Sequence, residues 1–211
     1  LGYAMLRAMQ LPSWAVIREL FRDSGGLYEN SCSPSSFYMD ERVQNIIDNN
    51  AFSTMLDLGA GAGRFSLYAA SKGIGVTAVE KQENYLSGIE KIVFFSKGKE
   101  IGSIRYLIED LEQWLPEENY DFILAKHVFQ FLPKEYALQA LLPRLLEKGN
   151  MVYIETFGEK EILNVPTKYS VEDFPSADTK DWEEDSRKMN GDPHHFHMIS
   201  ALYVKGKVDT I

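Results

Sequence analysis

The chain has 211 residues, a formal net charge of −9 and 45% hydrophobic residues, the proportions of a globular protein long enough to bury a real core. An acid excess without a long basic run argues against a nucleic-acid substrate, because phosphate binding depends on Lys and Arg. Cys32 is the one cysteine, so no intrachain disulfide can form and a reducing, cytoplasmic setting is the simplest expectation; no apolar run approaches the ~20 residues of a membrane helix, and no leader, repeat or low-complexity tract is recognisable.

Residues 1–50 read as a helical and irregular N-terminal segment, a lid or a packing arm ahead of a main domain over 51–211. Ser13 suits the cap of a helix in which Trp14, Ile17, Leu20 and Phe21 share a face, and Asp23-Ser24-Gly25-Gly26 breaks it. The polar, aromatic stretch from Leu27 to Tyr38 has the character of a mobile lid. Asp40 then caps a helix with Val43, Ile46 and Ile47 on its apolar side, ended by Asn49-Asn50.

The next stretch organises the chain. Ser53 to Leu58 is an apolar strand carrying Asp57, three glycines follow at alternate positions (Gly59, Gly61, Gly63), and Arg64 to Ser71 reads as a helix with Phe65, Tyr68 and Ala69 on one face. Side chains at Gly59 or Gly61 would keep a ligand off the backbone, and Gly63 lets the helix sit close to the sheet. Dinucleotide sites use Gly-x-Gly-x-x-Gly with pyrophosphate on the helix N-terminus. Here the spacing is Gly-x-Gly-x-Gly, and Asp57 would repel a pyrophosphate while attracting a cationic amino group. Gly73 to Glu80 forms the second strand. Its terminal acid, 80 − 61 = 19 residues past Gly61, is where α/β nucleotide folds hold a ribose; the competing role for Glu80 is to cap the helix expected from near Gln82 to Phe95, with Tyr85, Ile89, Ile92 and Val93 on one face.

Ile101 to Ile108 reads as the third strand, followed by Glu109-Asp110-Leu111, and Glu112 to Leu115 as a short helix stopped by Pro116. Tyr120 to Ala125 is the fourth strand. Beyond it stand Lys126, suited to hold an anionic substrate but expected rather to face solvent, and His127, whose imidazole suits either a general base or a hydrogen bond to a neighbouring loop. Pro133 opens a helix, Pro143 kinks or ends it near Leu142, and Gly149 gives a C-cap signal. Met151 to Phe157 is the fifth strand, with Glu155 and Thr156 near its end as a polar pair placed to touch a substrate but expected rather to be structural. Residues 158–190 are mostly loop with a weak strand around Asp181-Trp182-Glu183-Glu184, and Phe196 to Val204 is the last strand. His194, His195 and His197 lack a second ligand pair, so no metal is expected.

Alternating strands and helices argue for a doubly wound parallel α/β sheet. The Gly turn with Asp57 before it and Glu80 after it resembles motifs I and II of the class I S-adenosylmethionine-dependent methyltransferases, over about Asp40 to Val204. The resemblance implies a seven-stranded sheet in the order 3-2-1-4-5-7-6, the last strand antiparallel, with helices on both faces. It implies S-adenosylmethionine as cofactor, bound by Asp57, Gly59, Ala60, Gly61, Glu80, Lys81, Asp110, Leu111 and Ala125. In this set Asp57 orients the ammonium group, Glu80 takes the ribose hydroxyls, Asp110 and Leu111 hold adenine with Glu109 as the competing acid, and the Ala125 carbonyl meets the ammonium. Where some relatives carry Asp/Asn-Pro-Pro-Tyr, this chain has Ala125-Lys126-His127-Val128, which points away from DNA bases and protein amides toward a small-molecule acceptor. His127, or Tyr38 from the lid, would act as base or orienter; a strong nucleophile would need neither. Three rivals share the sheet: a nicotinamide-dependent oxidoreductase, disfavoured by the Gly spacing and Asp57; a binding protein that transfers nothing; and an aminopropyl transferase, which would need an acidic pair not evident here. No feature reports an oligomeric state.

Overall fold

The computed structural model describes residues 40–61, 63–82, 103–162, 164–185 and 195–206. The helices expected before Asp40 and over 83–95, and Tyr38 with the lid, lie outside the described residues. The strands are β1 (Thr54–Leu58), β2 (Gly75–Glu80), β3 (Ile104–Ile108), β4 (Tyr120–Lys126), β5 (Gly149–Phe157), β6 (Asp178–Asp185) and β7 (His195–Val204). They form one sheet in the order β3-β2-β1-β4-β5-β7-β6. β2 and β3, like β4 and β5, pair in parallel, whereas β7 runs antiparallel to both β5 and β6. The expected topology is therefore borne out, including the reversed last strand.

The chain divides into two compact units, Leu1–Met55 with Ala60–Ile108, and Leu56–Gly59 with Glu109–Ile211. In the first, α1 (Glu41–Asp48) begins where the Asp40 carboxylate accepts from the Arg42 N–H at 2.8 Å, and it buries Val43 and Ile47. Helix α2 (Arg64–Ser71) buries Phe65, Leu67, Tyr68, Ala69 and Ala70. The helices are tied by Asp48, which accepts from the Tyr68 hydroxyl at 2.7 Å and pairs with Lys72 at 2.8 Å. Burial alone would raise the Asp48 carboxyl, but the bonds from Lys72 and Tyr68 outweigh it and hold the group below its ordinary value. Val76, Ala78 and Val79 of β2 are buried in succession, as a parallel strand covered on both faces requires.

In the second unit, Phe122, Ile123, Leu124 and Ala125 of β4 are fully buried beside β5. Gly149 caps the helix that ends at Lys148, as its signal predicts, with its N–H donating to the Leu145 carbonyl, and it is also the first residue of β5, with φ −98° and ψ 138°. Its role is spatial, because a Cβ there would lie 2.7 Å from Val152 Cγ2 and 3.0 Å from Ile123 Cδ1. Gly149→Ala is expected to cost about 1–3 kcal/mol by overpacking, read as a lower urea midpoint; a midpoint equal to that of the parent would refute the steric account.

The helix after Pro133 runs as α3 (Lys134–Tyr136), a π turn (Ala137–Leu141) and α4 (Leu142–Lys148). The Leu142 N–H reaches back to the Ala137 carbonyl, so the helical phase resets at the residue before Pro143. Pro143 thus occupies the first turn of α4, where a missing N–H does no harm. The short helix expected over 112–115 is only a turn, with the Gln113 and Trp114 N–H groups both donating to the Asp110 carbonyl. Pro116 disfavours the helical conformation in Leu115 and stops extension after that turn.

Candidate functional site

The Gly turn is left-handed at each glycine: φ is +61° at Gly59, +52° at Gly61 and +72° at Gly63. A side chain would strain all three positions, which is why the sequence alternates glycine here. In the first unit the turn is pinned to β2, with the Ala60 N–H donating to the Val79 carbonyl at 3.0 Å and the Gly63 N–H to the Ala60 carbonyl at 2.8 Å. Glu80 closes it. One carboxylate oxygen accepts from the Gly61 N–H at 2.9 Å and the other from the Gln82 N–H at 3.0 Å. The helix whose cap was weighed against ribose binding lies outside the described residues, while the Gly61 bond fixes the acid against the turn. A carboxylate has about four acceptor sites, so two backbone donors leave capacity for a vicinal pair of hydroxyls. Lys81 beside it is exposed.

In the second unit Asp57 is buried within β1, 3% exposed. A Cβ on Gly59 would fall 2.5 Å from Val128 Cγ2, so the turn and the segment after β4 approach as closely as glycine permits. Ala125 is fully buried in β4. At the end of β3, Asp110 accepts from the Glu112 N–H at 3.1 Å, and Leu111 is buried with its carbonyl accepting from the Tyr136 hydroxyl at 2.6 Å. Burial, then the charges of Asp110 and Glu112, raise the Tyr136 hydroxyl above its ordinary value and keep it a neutral donor.

The chain turns sharply after β4. His127 is a non-glycine residue at φ +56°, a position held only where surroundings over-determine it. Its N–H donates to the Glu155 carbonyl at 2.8 Å, its Nε2 lies 3.5 Å from Glu155 Oε1, and its ring meets Phe157 edge-on at 5.5 Å. The Glu155 side chain is fully buried, accepts from the Tyr153 hydroxyl at 2.8 Å and pairs with the Lys126 ammonium. Lys126, expected in solvent, is therefore turned inward and 7% exposed. The register explains this: Lys126 and Glu155 are cross-strand partners at the ends of β4 and β5, where opposite charges attract. The sequence shows Glu155 as a strand-end acid but carries no sign of its approach to His127. The signal available for its pairing with Lys126 was a lone acid in an otherwise apolar strand facing a lysine on its neighbour.

Residues 158–174, barely legible in sequence, pack onto the segment after β4. The Tyr169 hydroxyl donates to the Phe129 carbonyl at 3.0 Å, the Thr167 hydroxyl to the Leu132 carbonyl at 2.7 Å, and Thr167 N–H to the Gln130 carbonyl at 3.1 Å. The Phe129, Tyr169 and Phe174 rings cluster at 5.6–6.2 Å, and burial pushes the Tyr169 hydroxyl well up. His197 belongs to this scaffold: Nδ1 accepts from the Lys160 N–H at 3.0 Å, so Nε2 carries the proton offered to Asp181 at 2.7 Å. Among the described residues no group of three His, Cys, Asp or Glu is arranged to hold a metal, and no helix is long and apolar enough to cross a membrane.

Comparison with known proteins bears on this geometry. A family model described as tellurite resistance protein TehB matches residues 37–176. A malonyl-[acyl-carrier protein] O-methyltransferase of Paenibacillus sp. (strain JDR-2) is 24% identical over 74% of this chain and 59% of its own length. A probable S-adenosyl-L-methionine-dependent methyltransferase TehB of Haemophilus influenzae is 38% identical over 46% of this chain and 32% of its own length. The chain thus spans less than two thirds of either curated relative. Among solved structures, TehB from Haemophilus influenzae superposes with a TM-score of 0.62 at 20% identity, covering 81% of this chain and 65% of that one. Magnesium protoporphyrin IX methyltransferase from Synechocystis PCC 6803 with bound SAM gives 0.59 at 15% identity, covering 90% and 96%. These likenesses establish the fold.

Proposed function

Because this chain belongs to the TehB family, within the class I S-adenosylmethionine-dependent methyltransferases, we propose that it binds S-adenosylmethionine and transfers the methyl group to a small-molecule acceptor. The observation that carries this reading is the Glu80 carboxylate fastened to the Gly61 N–H at 2.9 Å. The acid is fastened to the turn yet retains acceptor sites for sugar hydroxyls. A ligand with a ribose fits it, and Asp57 ahead of the turn favours a positively charged group over a pyrophosphate.

In this proposal Gly59, Ala60 and Gly61 offer bare main chain to the methionine moiety, with Asp57 and the Ala125 carbonyl on the ammonium side. Glu80 takes the ribose and Lys81 flanks it. Asp110 accepts from the adenine amino group and Leu111 packs on the ring, the turn being steadied by Tyr136. When bound, the cofactor supplies an electrophilic sulfonium methyl. The protein's part is then to hold the acceptor in line and exclude water, and orientation of this kind is worth up to ~7–11 kcal/mol in intramolecular models. His127 and Tyr38 are the residues assigned to the acceptor. Residues 1–50 serve as a lid or arm and 51–211 as the S-adenosylmethionine-binding methyltransferase domain. The lone Cys32 supports a reducing, cytoplasmic setting, and the departure at Ala125-Lys126-His127-Val128 supports a small acceptor rather than a nucleic acid.

Glu80→Ala is expected to weaken S-adenosylhomocysteine binding more than tenfold in calorimetry, about 1.4 kcal/mol, with the thermal unfolding transition preserved. An unchanged dissociation constant would rule out the ribose assignment.

A further inference from the structure

We propose that His197 is a proton-operated latch on the strap that begins at Gly158 and packs onto the segment after β4. The neutral ring holds the first turn of the strap, and a second proton on the ring releases it. This rests on the geometry of the second unit alone and not on the methyl-transfer reading.

Three observations converge. First, both ring nitrogens are committed, in opposite senses. Nδ1 accepts from the Lys160 N–H at 3.0 Å, and Nε2 donates to Asp181 Oδ1 at 2.7 Å. Only the neutral Nε2–H form makes both bonds. Second, the ring is seated on bare main chain. A Cβ on Gly158 would fall 2.1 Å from Nδ1, so the ring and a side chain there exclude each other. The His197 side chain is 6% exposed, which leaves water little room to replace it as the acceptor for Lys160. Third, the turn closes around the same residue. The Gly158 N–H donates to the His197 carbonyl at 2.8 Å, the Glu161 N–H to the Gly158 carbonyl at 3.0 Å, and the His197 N–H to Glu161 Oε2 at 2.8 Å. Gly158 also bridges to Tyr169, whose hydroxyl holds the Phe129 carbonyl. The turn at His197 thus anchors the strap that covers residues 129–132.

The switching follows from the chemistry of imidazole. A second proton enters at Nδ1, the nitrogen that carries none. It turns that nitrogen from acceptor into donor and sets it against the Lys160 N–H. Proton uptake and the Lys160 bond therefore exclude each other, and by linkage a fall in pH favours the released turn. Asp181 does not cancel this, because it accepts from Nε2–H in both protonation states. The charged groups around the ring are Asp181 and Glu183 of β6, the latter the cross-strand partner of His197. On the strap they are Lys160, through its N–H, and Glu161, whose carbonyl accepts from the Lys168 ammonium. The Asp181 carboxylate gives the imidazolium a counter-charge, so release of the turn does not strand a buried cation.

The test follows two signals of the wild-type protein from about pH 8 to about pH 5. One is the His197 ring, by long-range ¹⁵N–¹H correlation spectra. The other is the Lys160 amide, by hydrogen exchange corrected for its intrinsic rate. At the upper limit the Nε2–H form is expected. As the ring takes up its second proton, protection of the Lys160 amide should fall with the same midpoint, by roughly tenfold per pH unit. The amide of Ile154, fully buried in β5, should keep its protection. His197→Gln, whose amide takes up no proton, should show flat Lys160 protection over the same range. A ring that carries its proton on Nδ1 at the upper limit, or stays neutral throughout, overturns the proposal. So does a pH dependence that survives in His197→Gln, which would belong to Glu161. Should that variant not fold, the two wild-type midpoints decide alone, and separate midpoints refute the latch.

Discussion

Gly61→Val is expected to leave no measurable S-adenosylhomocysteine binding, a loss of more than a hundredfold. Gly61 sits at φ +52°, where a β-branched side chain is a severe outlier. The added strain, about 1–2 kcal/mol for leaving the left-handed preference of glycine, falls on a turn and not on the core, so the variant should still fold. The chain would relieve it by rotating the 60–61 peptide, which pulls the Gly61 N–H from Glu80. The proposed cofactor floor and the proposed ribose acid would then be disturbed together. Gly61→Ala, with one carbon added, should lose binding by roughly tenfold, or 1.4 kcal/mol. Titration calorimetry and a circular dichroism melt separate the two effects, and full affinity in the valine variant would remove the turn from the binding site.

Lys126→Met is expected to cost about 3–5 kcal/mol of stability, because it leaves the fully buried Glu155 carboxylate without its cation. The double variant Lys126→Met/Glu155→Leu should recover most of that loss, since apolar replacements of a buried pair are often neutral. Urea unfolding of parent, single and double variants measures the difference. A single variant within 1 kcal/mol of the parent would show that the pair is not desolvated in solution.

Much of the architecture could be read without coordinates, for a physical reason. Parallel strands buried on both faces appear as unbroken apolar runs, so β1, β2, β4 and β5 stood out, and α2 was found with its observed ends because Gly63 and Lys72 bound a clear helical face. The Gly turn and Glu80 were legible because backbone conformation and strand-end position constrain residue type locally. What escaped depended on distant partners. Lys126 looked like a solvent residue until β5 supplied Glu155 across the ladder. Gly149 carried the local signal of a helix cap, but the space it needs is set by Ile123 and Val152. Residues 158–174 have no periodicity because Thr167 and Tyr169 are held by carbonyls of residues 129–132 rather than by a repeating ladder.

The π turn at Ala137–Leu141 sets an angular offset between two tasks on one rod. Each α-helical residue advances about 100° around the axis, so one extra residue in a wide turn lets Tyr136 point at the Leu111 carbonyl while Leu142 and Leu145 stay seated in the core. Excising a single residue from that turn would keep the rod and its buried anchors yet swing the phenol a quarter of the way round. A shortened turn of this kind would thus make a well-folded protein whose Asp110-Leu111 corner has lost its latch, separating fold integrity from the proposed hold on the nucleobase by one codon.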